Sequence, residues 1–223
     1  MNSLNTYIDH TLLKATATEQ DIIKLCDEAK KHKFFSVCVN SCYVSLAKSQ
    51  LNNSDVKVCS VIGFPLGAMS TKAKVEETKQ ALKDGADEID MVINIGFFKS
   101  KNFDAVWQDI EAVKQVMPNN ILKVILETCY LEEIEIIKAS ELAINSGADF
   151  IKTSTGFGTG GATIHDVEIM KSVAQKCNVK IKASGGIRDT ETAKAYIDAG
   201  AERIGTSNGI AIVTGQKAEE GNY

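Results

Sequence analysis

The chain has 223 residues, 44% of them hydrophobic and 24% charged, with a formal net charge of -4 and only 2 prolines, which fits one large or two small ordered domains and excludes a mainly disordered chain. Mild acidity argues against a general affinity for nucleic acid, and no apolar run approaches the roughly 18 residues that cross a bilayer. Residues 1–10 lack the basic and apolar regions of a signal peptide, so a cytoplasmic protein with neither membrane nor nucleic-acid partners is expected.

Short apolar runs alternate along the chain with amphipathic stretches. TYIDHTLL reads as the first strand, and a helix is expected over 19–32, where Ile22, Ile23, Cys26 and Ala29 recur at helical spacing. FFSVCVN and VKVCSVIGF read as the second and third strands, followed by a helix over 71–84. EIDMVIN, LKVILET and FIKTSTG continue as strands, separated by helices over 103–117 and 132–146. A helix over 166–177 leads to VKIKASGG, one over 190–199 leads to RIGTS, and the loop Gly205-Thr206-Ser207-Asn208-Gly209 opens a last helix. Strand and helix repeated in this order imply parallel strands with helical crossovers.

An internal repeat sharpens the architecture. GADEID at 85–90 resembles GADFIK at 147–152 and GAERIG at 200–205, each a glycine that can close a helix before a strand. The spacings of 62 and 53 residues make these the fourth, sixth and eighth strands of a cyclic array. The expectation is a single-domain (β/α)8 TIM barrel over 1–213, with a mobile polar tail over 214–223. An open doubly wound sheet is the competing architecture.

Three charged residues stand inside otherwise apolar or small-residue strands: Asp90, Lys152 and Lys182. The bland reading is one buried Asp–Lys pair plus a lysine that reaches solvent. The chemical reading is a Schiff-base lysine with an acid–base partner, because desolvation and a second cation both favour the neutral amine that attacks a carbonyl. Bringing a lysine from pKa ~10.4 to ~7 takes roughly 4.6 kcal/mol, which burial and a neighbouring ammonium can supply. Loops Ser184-Gly185-Gly186 and Gly205-Thr206-Ser207 follow the seventh and eighth strands, where this kind of barrel binds phosphate.

Other signals carry less. Residues 156–161 satisfy G-x-G-x-x-G, but no acidic residue ends the next strand, so the segment reads as a mobile substrate loop rather than a dinucleotide site. Asp9-His10-Thr11 reads equally as part of a polar network or as a turn. Glu127 reads as a structural partner of a barrel lysine, Thr155 as an accessory lining residue, and Cys38 as either a packed core thiol, the favoured reading, or an accessory lining residue. Arg188 stands near the phosphate loops, and Tyr223 could reach the site as a proton carrier. The 6 cysteines have no Cys-x-x-Cys pair and read as reduced thiols. His10, His32 and His165 lie far apart, so no metal is expected.

The segments IDHTLL, VCVN, VIGFPLGA, EIDMVINIG, KVILET, IKTSTGF, KASGGIR and IGTSNGIAIV, taken in order, resemble the deoxyribose-phosphate aldolase family from about Tyr7 to Val213. The resemblance implies reversible cleavage of 2-deoxy-D-ribose 5-phosphate to acetaldehyde and D-glyceraldehyde 3-phosphate, with no metal or other cofactor. It implies Lys152 as the Schiff-base lysine, Lys182 and Asp90 in proton transfer, and phosphate contacts at Gly156, Gly185, Gly186, Gly205 and Ser207. It also supports a role for Tyr223 and the expectation of a homodimer. Ala15, Ser41 and Cys42 depart from the family pattern without touching the three charged residues. Another Schiff-base sugar-phosphate aldolase or transaldolase, and a catalytically silent sugar-phosphate-binding barrel, are the alternatives.

Overall fold

The computed structural model describes residues 3–216. Eight parallel strands pair in chain order: β1 (Ile8–Leu12), β2 (Ser36–Asn40), β3 (Lys57–Ile62), β4 (Glu88–Val92), β5 (Ile121–Ile125), β6 (Phe150–Lys152), β7 (Lys180–Ser184) and β8 (Arg203–Thr206). Pairing of β8 with β1 closes the barrel and excludes the open doubly wound sheet. Around it lie α1 (Glu19–His32), α2 (Val44–Gln50), α3 (Thr71–Lys83), α4 (Ile95–Lys99), α5 (Phe103–Gln115), α6 (Glu133–Asn145), α7 (Ile164–Ala174), α8 (Thr190–Ala199) and α9 (Gly209–Thr214). No helix among the described residues is long and apolar enough to cross a membrane.

Local chemistry fixes the element ends. Thr18 caps α1 in a reciprocal arrangement with Asp21, and Thr163 accepts from the Asp166 N–H, which starts α7 two residues before the expected position. The repeat glycines Gly85, Gly147 and Gly200 take φ of 107°, 91° and 121°, turning each helix into the following strand. The helices α2 and α4, of 7 and 5 residues, are too short to show helical periodicity and were not anticipated. The last helix runs through Thr214, and Gly215 turns it off at φ 71°.

Each strand splits its side chains between two cores. Outward residues such as Val37, Val58, Ile89, Val124, Ile151 and Ile204 are buried under the helices. Inward residues stack in tiers from alternate strands. Ser36, Glu88, Phe150 and Arg203 form the lowest tier, and Asp9, Cys59, Lys123 and Lys182 the next. Cys38, Asp90, Lys152 and Gly205 form the tier towards the strand C-termini. Where such barrels ordinarily carry branched apolar residues, this interior is charged.

One ion pair outside the barrel secures the shell. Lys74 on α3 is fully buried, with Nζ 2.5 Å from Asp109 Oδ2 on α5 and donating to the Val92 carbonyl at 2.9 Å. Lys74→Ala would leave Asp109 buried and unpaired, a cost of about 3–5 kcal/mol. Calorimetry should show its Tm lowered by roughly 10 °C, whereas Lys74→Met combined with Asp109→Leu should keep most of the stability.

Candidate active site

Asp90 sits at the centre of the charged interior. Its Oδ2 accepts from Lys152 Nζ at the end of β6 and from Lys182 Nζ on β7, each at 2.8 Å. Its Oδ1 accepts from Lys123 Nζ on β5 at 2.9 Å and from the Cys59 thiol on β3 at 3.1 Å. Lys182 Nζ also lies 2.5 Å from Asp9 Oδ2, and Lys123 Nζ 2.5 Å from Glu88 Oε2. Arg203 closes the cluster from below, donating to Asp9 Oδ1 at 2.8 Å and Glu88 Oε2 at 3.0 Å. Its guanidinium lies over the Phe35 ring, 3.4 Å from the centroid, and Ser36 Oγ donates to Asp9 Oδ1 at 2.6 Å.

These contacts decide the ionisation states. Burial pushes the Asp90 carboxyl up, but the amino groups of Lys123, Lys152 and Lys182 outweigh it and hold Asp90 well below the usual carboxylate range. Burial opposes ionisation of Asp9 too, and Arg203 and then Lys182 overcome it. For Lys182 burial favours the neutral amine, yet Asp9 and Asp90 raise it above an ordinary lysine, so it stays an ammonium at neutral pH. Lys123 is raised in the same way, Asp90 being its strongest partner.

The bland reading of one ion pair and a solvated lysine does not hold, since Lys182 is 0% exposed and Lys152 only 3%. The set of in-strand charges is also larger than the three singled out: Asp9, Glu88, Lys123 and Arg203 belong to it. Their signal was present in IDHTL, EIDMV, LKVIL and RIGT, where each charge sits in or against an apolar run. Cys38 Sγ, Cys59 Sγ and an Asp90 carboxylate oxygen lie within 4.8 Å of one another. Both Asp90 oxygens already serve amino groups, so the surroundings repel a cation and do not fit a metal.

The sequence pattern of the DeoC/LacD family aldolases matches residues 4–215. The chain belongs to this aldolase family. A deoxyribose-phosphate aldolase of Finegoldia magna is 61% identical over 95% of this chain and 99% of that protein. Among solved structures, the aldolase QR15 is 47% identical with a TM-score of 0.92 over 96% of each chain. The deoxyribose phosphate aldolase of Aeropyrum pernix, described as tetrameric, is 34% identical with a TM-score of 0.88, covering 95% of this chain and 89% of that one.

Around this charged cluster the remaining candidates fall into distinct places. Gly185 and Gly186 take φ of 88° and 84° after β7, and Ser207 is half-buried after β8. Gly205 lies beside Lys182: a Cβ there would come 3.0 Å from both Lys182 Cε and Ser184 Cβ. The Thr206 hydroxyl ties its own loop, donating to the Ile187 carbonyl at 2.7 Å and accepting from Asn208 N–H at 2.9 Å. Thr155 donates its hydroxyl to Glu127, which also accepts the Thr155 N–H at 3.0 Å; Glu127 therefore anchors the loop after β6 and pairs with no barrel lysine among the described residues. Gly156 takes φ 88° in that loop. A Cβ on Gly161 would stand 2.3 Å from the Gly185 carbonyl oxygen, so this glycine serves close backbone crossing. Cys38 is buried on β2 within the field of Lys182, Asp90 and Lys152. Of Asp9-His10-Thr11, Asp9 joins the network while His10 turns outward to Glu28 at 2.8 Å. Arg188 is exposed after β7, and Tyr223 lies outside the described residues.

The network sets a pH signature. Asp9 and Asp90 are depressed below their ordinary 3.8, so their stabilising contribution is complete above that pH and is lost as pH falls through the folded values. Lys123 and Lys182 are raised above 10.5, so theirs is complete below that pH and is lost as pH rises through the folded values. Melts from pH 2 to 5 should show Tm climbing steeply to about pH 4, and Asp90→Asn should flatten that climb.

Proposed function

We propose that this chain is a class I aldolase that reversibly cleaves 2-deoxy-D-ribose 5-phosphate to acetaldehyde and D-glyceraldehyde 3-phosphate through a Schiff base on Lys152. The observation that carries the reading is the shared Asp90 Oδ2, 2.8 Å from the Nζ atoms of both Lys152 and Lys182. One carboxylate oxygen holds a nucleophile and a proton carrier side by side. The relatives named deoxyribose-phosphate aldolase supply the substrate.

Lys152 is the surplus base of the cluster. The three carboxylates Asp9, Glu88 and Asp90 are matched in number by Lys123, Lys182 and Arg203, so a proton can leave Lys152 without leaving a buried carboxylate unpaired. That amine attacks C1 of the open-chain sugar, and the Lys182 ammonium supplies the proton with which the carbinolamine hydroxyl leaves as water. The resulting iminium accepts the electron pair of the C2–C3 bond as the C3 hydroxyl loses its proton, releasing glyceraldehyde 3-phosphate. Asp90 is held too acidic to keep that proton, so it orients a water and passes the proton on towards Lys182. The enamine is then protonated at C2, and water hydrolyses the iminium to acetaldehyde and free Lys152. Gly156, Gly185, Gly186, Gly205, Thr206 and Ser207 shape the phosphate end, remote from the reacting carbons, where binding contributes orientation. No step requires a cofactor. Homodimerisation is carried over from the family resemblance alone.

Borohydride added to protein and deoxyribose 5-phosphate should leave a reduced two-carbon adduct on Lys152, located by peptide mass. Lys152→Ala should abolish the adduct and lower kcat/KM by about 10³ or more. An adduct on Lys182 would reverse the two lysines, and no adduct with bound substrate would overturn the Schiff-base reading. Ser207→Ala should raise KM for the phosphorylated sugar by about tenfold and leave the slow cleavage of unphosphorylated deoxyribose unchanged.

A further inference from the structure

The mechanism uses neither thiol of the inner barrel. Cys38 and Cys59 are register partners on the adjacent parallel strands β2 and β3, both 0% exposed. Neighbouring strands lie about 4.8 Å apart, inside the roughly 4.4–6.8 Å Cα separation that accepts a disulfide. The two Sγ atoms lie within 4.8 Å of each other. Together with Leu13, Val61 and Phe64 they form an apolar cluster separate from the main core. Cys59 is also wired to the charged site, donating to Asp90 Oδ1 at 3.1 Å and accepting from Lys123 Nζ at 3.4 Å.

We propose that Cys38 and Cys59 are a peroxide-oxidisable dithiol whose disulfide disconnects β3 from Asp90 and slows turnover. The roles of the two sulfurs differ. The neighbouring Cys59 sulfur, and then Lys182, draw the Cys38 thiol below its usual value despite burial, which makes it the better thiolate. Burial and the Cys38 partner push Cys59 up, so it keeps its proton. The Cys38 thiolate attacks one oxygen of hydrogen peroxide, the O–O bond breaks, and the departing hydroxide takes a proton to leave as water. Cys59 sulfur then attacks the resulting sulfenic sulfur, the S–O bond breaks, and its thiol proton leaves with the hydroxyl as a second water. Two thiols lose two electrons and two protons, and one peroxide becomes two waters. The product has no S–H to give Asp90 Oδ1. Losing a hydrogen bond to a charged group lowers the retro-aldol rate by about tenfold or more.

The rate readout rests on the aldolase reading; the linkage itself does not. Exposed Cys42 and Cys177 also meet peroxide, so the test uses the Cys42→Ser, Cys177→Ser background. Protein reduced and then treated with hydrogen peroxide is alkylated and digested without reductant. The expected result is a Cys38–Cys59 linked peptide, a rate about tenfold lower, and recovery with dithiothreitol. Cys59→Ala, compared with its own untreated rate, should lose the reversible component. Alkylation of both cysteines after treatment, or sulfinic acid on Cys38 without linkage, would overturn the dithiol. Linkage with an unchanged rate would overturn its effect on turnover. Absence of aldolase activity before treatment would count against the functional reading alone, because the peptide map needs no turnover.

Discussion

The structure depends on keeping one carboxylate ionised inside a closed barrel. Asp90 has no access to solvent, and left alone its burial would favour the neutral acid. Three amino groups reach it from β5, β6 and β7, so the closing of the sheet is what brings the compensating charge to it. The curvature of the closed sheet turns Lys123, Lys152 and Lys182 of three successive strands inward around a residue of β4. The fold and the chemistry of the site are, in this respect, one constraint.

That arrangement propagates downward. Lys123 and Lys182 each need a second carboxylate, supplied by Glu88 and Asp9, and these two are bridged by Arg203. Arg203 finishes the chain of contacts against the rings of Phe35 and Phe150, so the charged column ends on aromatic carbon rather than on another charge. A buried network is tolerable when each member is satisfied, and here each carboxylate of the column has at least two donors. Lys152 alone stands at the open end with a single carboxylate contact.

Most of the fold was legible in the chain because its strands are separated by long amphipathic stretches and its glycine repeat marks helix ends directly. Residues 19–32 and 190–199 show how far this goes: both helices occupy the expected spans. The helices α2 and α4 escaped because one turn or two of helix has no period to detect. In the site, Asp90, Lys152 and Lys182 stood out as charges deep within apolar runs. Lys123 and Arg203 fall at the second and first residues of their runs, where a charge ordinarily reaches solvent. Only strand register, which places Lys123 opposite Asp90 and Arg203 opposite Lys182, turns them inward. Glu127 and Thr206 illustrate the converse: polar residues at strand ends whose groups are used to hold loops.

The backbone crossing at Gly161 and Gly185 couples the loops that follow β6 and β7. The Ala162 N–H donates to the carbonyls of both Ser184 and Gly185, at 3.0 and 3.2 Å, and its own carbonyl accepts from the Tyr196 hydroxyl on α8 at 2.5 Å. The segment leaving Lys152 and the segment leaving Lys182 are thereby stitched into a single leaf of the barrel rim. A displacement of one segment is carried to the other, while the Nζ atoms of Lys152 and Lys182 stay gathered on the same Asp90 oxygen.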